Sequence, residues 1–239
     1  MILEKFDISQ LKNKKILAFG AHPDDIEFGA GGTLAQFSGQ NSVEIIIATD
    51  GGLGTHDQKL KNGDISKIRK KEAESAAELL GFKNINFWNF PDGGLRAWDK
   101  KLRQKIVKTL INKKPDIIFS FDPWVRYEPG LHPDHRTLAW AVAETWLLVD
   151  TPLFLKKMRH ENVVPLNPKP ALWLYAPAEA NWAVDITHVW ENKVEALEYH
   201  QSQFPKEKME KIKNKLESRF SEAGKQIGVP LAEPFRILE

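Results

Sequence analysis

The residues best suited to chemistry in this chain are His22, Asp24 and Asp25, in the run Ala21-His22-Pro23-Asp24-Asp25-Ile26-Glu27 that directly follows the apolar stretch Ile16-Leu17-Ala18-Phe19. A second run, His132-Pro133-Asp134-His135, brings two more imidazoles from far along the chain, so three of the seven histidines lie in the two runs. Nitrogen and carboxylate donors on sharp turns suit a catalytic zinc, which takes three protein ligands and keeps one position open for water. Each run alone has an ordinary explanation. His-Pro-Asp forms turns whose carboxylate caps a neighbouring amide, and Pro followed by Asp starts helices. Two such runs, distant in sequence and each beyond a strand-like segment, are what a folded metal site requires, and they point to a zinc hydrolase.

The whole chain sets the frame for these residues. At 239 residues, with 42% hydrophobic and 28% charged residues, it is long enough for one large α/β domain, and the expected domain spans 1–239. A net charge of +2 is too mild to argue for nucleic acid, and mixed-sign runs such as Lys206-Glu207-Lys208 suit a solvated helix face. With no cysteine, there is no disulfide framework and no thiolate ligand, so any metal must be held by His, Asp and Glu. The amino terminus lacks the apolar core of a signal peptide, and no segment approaches the roughly 20 apolar residues that span a bilayer. The expectation is a cytoplasmic protein without membrane or nucleic-acid partners.

Short β-rich runs alternate with helical patterns, the sequence form of a mostly parallel sheet flanked by helices. Strands are expected at 15–19, 43–48, 86–90, 116–121 and 171–175. Helices are expected from the Gly29–Phe37 region, over 67–80 with Gly81 as stop, over 101–111 with Leu102, Ile106 and Leu110 on one face, and from near Pro133. Ala183–Thr187 should lead into a helix reaching about Gln203. Active sites of open α/β sheets lie beyond the carboxyl ends of the strands. Both ligand runs and the two Asp-Gly-Gly turns, at Asp50 and Asp92, should therefore share one rim. The stretch 159–169 reads as a surface loop.

Ala21 to Glu27, Thr49-Asp50-Gly51, Arg69 with Glu72, and His132 to His135 resemble the LmbE/PIG-L family of zinc-dependent N-deacetylases. The tail agrees through Val184-Asp185-Ile186-Thr187, Lys193, His200-Gln201-Ser202-Gln203-Phe204 and Gly224 to Val229 with Glu233 and Phe235. Within the family the chain is most similar to the archaeal diacetylchitobiose deacetylases, through Asp50 to Thr55, Phe121-Asp122-Pro123-Trp124 and Ser202 to Pro205. It departs from them at Glu128-Pro129-Gly130-Leu131, which lengthens the approach to His132, and in ending at Glu239 short of their tail. The resemblance implies a Rossmann-like fold and removal of acetyl from an N-acetylglucosamine-containing substrate. It also implies a homo-oligomer, with a trimer-based assembly as one form.

Under that resemblance His22, Asp25 and His135 hold zinc, with water on the open position as nucleophile. Asp24, the carboxylate left over, moves the proton from water to the departing amine, and His132, as imidazolium, faces the developing oxyanion. Arg69, Asp92 and His200 are expected at the substrate, and Glu27 behind a ligand. Trp98 or Trp124 offers a surface on which a sugar ring could stack. Two other readings compete: a zinc amidase or phosphoesterase using the same residues, and a metal-stabilised carbohydrate-binding protein without turnover. The spare carboxylate of Asp24 counts against the second.

Overall fold

The computed structural model describes residues 2–55, 57, 59–96, 98–125, 132–158 and 164–239. Its strands and helices follow one another as β1 (Glu4–Lys5), β2 (Lys15–Gly20), α1 (Asp25–Ser38), β3 (Ser42–Thr49), α2 (Asn62–Leu79), β4 (Asn84–Phe90), α3 (Lys100–Lys113) and β5 (Ile117–Phe121). Then come α4 (Pro133–Leu148), α5 (Pro152–Lys157), β6 (Ala171–Tyr175), β7 (Trp182–Asp185), α6 (Trp190–Glu198), α7 (Lys206–Ile227) and β8 (Ala232–Leu238). The eight strands form one sheet in the order β1-β7-β8-β6-β5-β2-β3-β4. All neighbours are parallel except where β8 runs antiparallel between β6 and β7.

Strands buried on both faces read as continuous apolar runs. Ile16 to Phe19 of β2 and all five residues of β5 are buried in this way. On α3 the four-residue spacing of Leu102, Ile106 and Leu110 turns all three fully inward. Beyond β2 the chain turns one way to β3, and β5 lies on the other side, so the crevice between the carboxyl ends of β2 and β5 is a topological switch point. The first ligand run follows β2 and the second follows β5.

Several boundaries differ from the sequence expectation. Helix α1 begins at Asp25 rather than near Gly29, which puts Asp25 and Glu27 in its first turn, where the helix dipole favours carboxylates. Helix α2 also starts earlier than expected, and the short α5 escaped a reading based on apolar periodicity. Helix α6 stops at Glu198, so His200 sits in a turn, where its carbonyl accepts the Gln203 and Phe204 amides. The Glu128–Leu131 departure and residues 159–163 of the expected loop lie outside the described residues. Among the described residues no helix is long and apolar enough to cross a membrane.

A buried ion pair locks the antiparallel strand to the site-bearing helix. Lys193 on α6 is fully buried and donates from Nζ to Glu233 Oε1 at 2.7 Å and to the Glu27 and Phe28 carbonyls at 2.7 and 2.9 Å. Glu233 on β8 in turn accepts the Gly32 and Thr33 amides of α1. Removing one partner of a buried pair leaves an uncompensated charge, at a cost of about 3–5 kcal/mol. Lys193→Met is therefore expected to lower the urea midpoint by that equivalent at unchanged m-value. An unchanged midpoint would show that the pair does not hold the two elements together.

Candidate active site and metal centre

The turn after β2 is built around Asp25. Its Oδ2 accepts the Ala21 and His22 amides at 2.8 and 2.7 Å, which leaves Oδ1 to face His135 Nε2 at 3.0 Å. His22 divides its ring in the same way. Nε2 lies 3.0 Å from Asp92 Oδ1 and 3.5 Å from Asp134 Oδ2, while Nδ1 lies 3.0 Å from His135 Nε2 and 3.7 Å from Asp25 Oδ2. One donor atom from each of His22, Asp25 and His135 thus falls within 4.8 Å of the others. Ligands held roughly 2.0–2.1 Å from a tetrahedral zinc stand about 3.3 Å apart, so this spacing fits such an ion. A second grouping of His22, Asp92 and His132 reuses His22. There the short Nε2–Asp92 contact is the hydrogen bond that orients a metal-binding imidazole, so the first grouping is the candidate ligand set.

Helix α4 presents the second run. His132 is its N-cap, Nδ1 accepting the Asp134 amide at 3.2 Å, and Pro133 opens the first turn. Asp134 is fully buried and accepts the Gly93 and Leu95 amides at 2.7 and 3.2 Å, tying α4 to the turn after β4. Phe121, the last residue of β5, stacks on the His135 ring at 4.2 Å and 14°. Asp50 closes the rim by accepting the Asp92 and Gly52 amides. Both Asp-Gly-Gly turns and both histidine runs do share one face.

Asp24 stands apart from its neighbour. It occupies the N-cap of α1 without making a capping bond, and its backbone is held at φ 133° and ψ −22°. Such a conformation costs a non-glycine residue about 1–3 kcal/mol and persists only where the surroundings enforce it. Its Oδ2 accepts from Arg69 Nη2 at 3.2 Å.

The electrostatics separate the two adjacent carboxylates. Burial pushes Asp24 up to about 6, and Asp25 adds to the rise, against the pull of Arg69, His200 and His22. Burial acts on Asp25 in the same sense but is overcome by His135 and His22, which hold it well below the usual range. At His22 burial disfavours the cation, yet Asp134, Asp92 and Asp25 outweigh it and raise the ring to about 10. A pocket with this excess of carboxylate calls for a cation.

Of the eight expected site residues, the structure gathers His22, Asp25, His135, Asp24, His132, Arg69 and Asp92 around the β2–β5 crevice. Arg69 is buried beneath the turn and ion-paired to Asp24. Asp92 also differs from a free sugar-binding carboxylate, since Oδ1 meets His22 and Oδ2 accepts the Leu53 amide. His200 is corrected as a direct substrate contact. It has no exposed surface, and Nε2 lies 3.7 Å from the buried Glu27 Oε2. Glu27 therefore faces His200 and not a ligand histidine. The expected His132 imidazolium is corrected as well. Burial, His22 and His135 hold this ring below the ordinary histidine value, and a helix N-terminus disfavours a cation. Sequence reasoning missed the support given by Asp134 and Phe121. The only sequence signal for Asp134 was its place between the two histidines. Of the two tryptophans named for stacking, Trp98 is exposed beside Arg103, and half-exposed Trp124 packs edge-on against Trp140.

Comparison with known proteins adds to this geometry. The sequence profile of the PIG-L family, described as GlcNAc-PI de-N-acetylase, matches residues 17–146. The chain is 32% identical over 228 residues to a diacetylchitobiose deacetylase of Thermococcus kodakarensis, covering 94% of this chain and 83% of that one. It is 29% identical over 210 residues to a probable N-acetyl-alpha-D-glucosaminyl L-malate deacetylase 2 of Bacillus cereus, covering 84% and 90%. Among solved structures, an N,N'-diacetylchitobiose deacetylase from Pyrococcus horikoshii, complexed with its inhibitor MPG, superposes with a TM-score of 0.87 at 36% identity, over 94% of this chain and 84% of that one.

Proposed function

The chain belongs to the PIG-L family of de-N-acetylases and is a hydrolase acting on an amide bond, and from that premise we propose that it removes acetyl from a small N-acetylglucosamine-containing molecule at a zinc centre held by His22, Asp25 and His135. The observation that carries this reading is the three-donor cluster with a partly buried carboxylate, Asp24, beside it that takes no part in the cluster. Zinc bound there supplies Lewis acidity, lowering the pKa of water and polarising the acetamide carbonyl.

The protein's own groups do the rest. Asp24 accepts a proton from the attacking water as the C–O bond forms, and delivers it to the amine nitrogen as the C–N bond breaks. His132 donates to the carbonyl oxygen as negative charge develops there. Because its Nδ1 accepts the Asp134 amide, the neutral ring carries its proton on Nε2, the nitrogen left for the substrate. Asp92 and Asp134 fix the His22 tautomer from behind, and Phe121 sets the plane of His135.

Losing one such oxyanion donor costs roughly 3 kcal/mol in the transition state. His132→Ala is therefore expected to lower kcat on the order of a hundredfold, with KM and metal content nearly unchanged. Loss of metal, or a rise in KM alone, would remove His132 from this role.

The substrate reading is tested by measuring acetate release from N-acetylglucosamine, N,N'-diacetylchitobiose and N-acetylglucosaminyl malate with zinc present. Equimolar acetate and free amine from at least one of them is expected. Release from none would overturn the proposed substrate class.

A further inference from the structure

We propose that Arg96, on the rim beside the metal centre, is a specificity-determining residue: its guanidinium receives an anionic group, a carboxylate or a phosphate, carried by the part of the substrate attached to N-acetylglucosamine. This rests on the proposed deacetylation of an N-acetylglucosamine-containing molecule, and narrows that molecule to an acidic conjugate.

The turn after β4 fixes where Arg96 stands relative to the candidate ligands. Asp92 Oδ1 meets His22 Nε2 at 3.0 Å. The next residue, Gly93, donates its amide at 2.7 Å to Asp134 Oδ2, which itself lies 3.5 Å from His22 Nε2. The Gly93 carbonyl in turn accepts Arg96 Nη1 at 3.1 Å. With one glycine spanned, these contacts keep the guanidinium within about 13 Å of His22, a reach that one sugar ring and its substituent cover. Leu53 packs on the same glycine. Its side chain is 63% exposed, its Cδ1 lies 3.3 Å from where a Gly93 Cβ would stand, and its amide is held by Asp92 Oδ2 at 3.0 Å. An apolar surface and a cation therefore border one turn.

Arg96 Nη1 also donates to the Leu95 carbonyl at 2.9 Å, so two carbonyls of its own turn tether the guanidinium while the residue stays exposed. A planar fork held through one nitrogen loses little further freedom when its other donors take the oxygens of a carboxylate or phosphate. Among the described residues no carboxylate pairs with Arg96. The segment from Arg96 to Arg103 also carries Lys100 and Lys101, against one carboxylate, Asp99, which caps α3 through the Lys101 amide. The rim is thus locally cationic, whereas Asp24, Asp92 and Asp134 line the site itself and repel an anion. That separation favours a substrate whose neutral acetamide enters the site while its charge stays at the rim.

The test measures steady-state acetate release by the zinc-loaded protein from N-acetylglucosamine, N-acetylglucosamine 1-phosphate, N-acetylglucosaminyl malate and N,N'-diacetylchitobiose, for wild type, Arg96→Gln and Arg96→Lys. Wild type is expected to show kcat/KM about tenfold higher for one of the two acidic substrates than for either neutral one, with the gap closing as salt rises. The phosphate and malate arms tell which anion is the source. Arg96→Gln should lower the acidic-to-neutral ratio by about tenfold, chiefly through KM and with metal content unchanged, and Arg96→Lys should fall between the two. A wild type without preference for either acidic substrate overturns the inference, and so does a ratio that Arg96→Gln leaves unchanged. An equal loss on acidic and neutral substrates overturns it as well, because Arg96 would then only support the Gly93 turn. If wild type releases acetate from none of the four, the substrate reading falls together with this inference. Release from the neutral sugars alone leaves that reading standing and sinks this inference.

Discussion

Asp24→Asn is expected to reduce kcat by about a hundredfold or more while leaving metal stoichiometry unchanged. Asn keeps the size of the side chain and can still accept from Arg69 Nη2, but it cannot take a proton. Asp24 is not in the three-donor cluster, and its carboxylate is bonded to Arg69 instead. The expected indifference of metal binding to this substitution follows from that placement. The variant separates the two carboxylates in one experiment. Zinc lost together with activity would mean that Asp24 and Asp25 have exchanged roles.

The second large effect is expected at the ligands. His135→Ala removes one of three donors and should take turnover to background. Metal affinity should fall by more than the roughly 10–100-fold typical of losing a supporting hydrogen bond. Asp92→Ala, which removes only the group behind His22 Nε2, should fall within that smaller range. A competitive chelator titration orders the three proteins as wild type, Asp92→Ala, His135→Ala. An inverted order would favour the alternative grouping of His22, Asp92 and His132.

The sheet and the meeting of the two histidine runs on one rim were legible in the sequence for a physical reason. Parallel strands buried on both faces leave continuous apolar runs, and Asp-Gly-Gly and His-Pro-Asp punctuate their carboxyl ends, so both runs could be assigned to one rim before any coordinates. The antiparallel β8 carries no clear strand signal, because its segment Ala232 to Leu238 holds Glu233, Pro234 and Arg236 among its apolar residues. Glu233 belongs there because Lys193, forty residues earlier in the chain, neutralises it and the Gly32 and Thr33 amides donate to it.

Roles that depend on direction could not be read from spacing. Asp24 and Asp25 are adjacent and alike in composition, and what separates their orientations is a φ of 133° at the first. His200, with the next turn of its helix expected to run on to Gln203, looked able to reach the rim. The earlier end of α6 instead turns it inward against Glu27. Chemistry alone predicts a cation at His132, whereas its N-cap position gives it an amide to accept and a helix dipole that opposes charge.

The central claim is hydrolysis at a single metal held by His22, Asp25 and His135. It is tested most directly by titrating metal-free protein with zinc and following bound metal and acetate release together. The account predicts that activity rises in proportion to bound metal and reaches its plateau at one zinc per chain, with both signals lost in His135→Ala. Full acetate release from the metal-free protein, or a plateau only at two metals per chain, would contradict it.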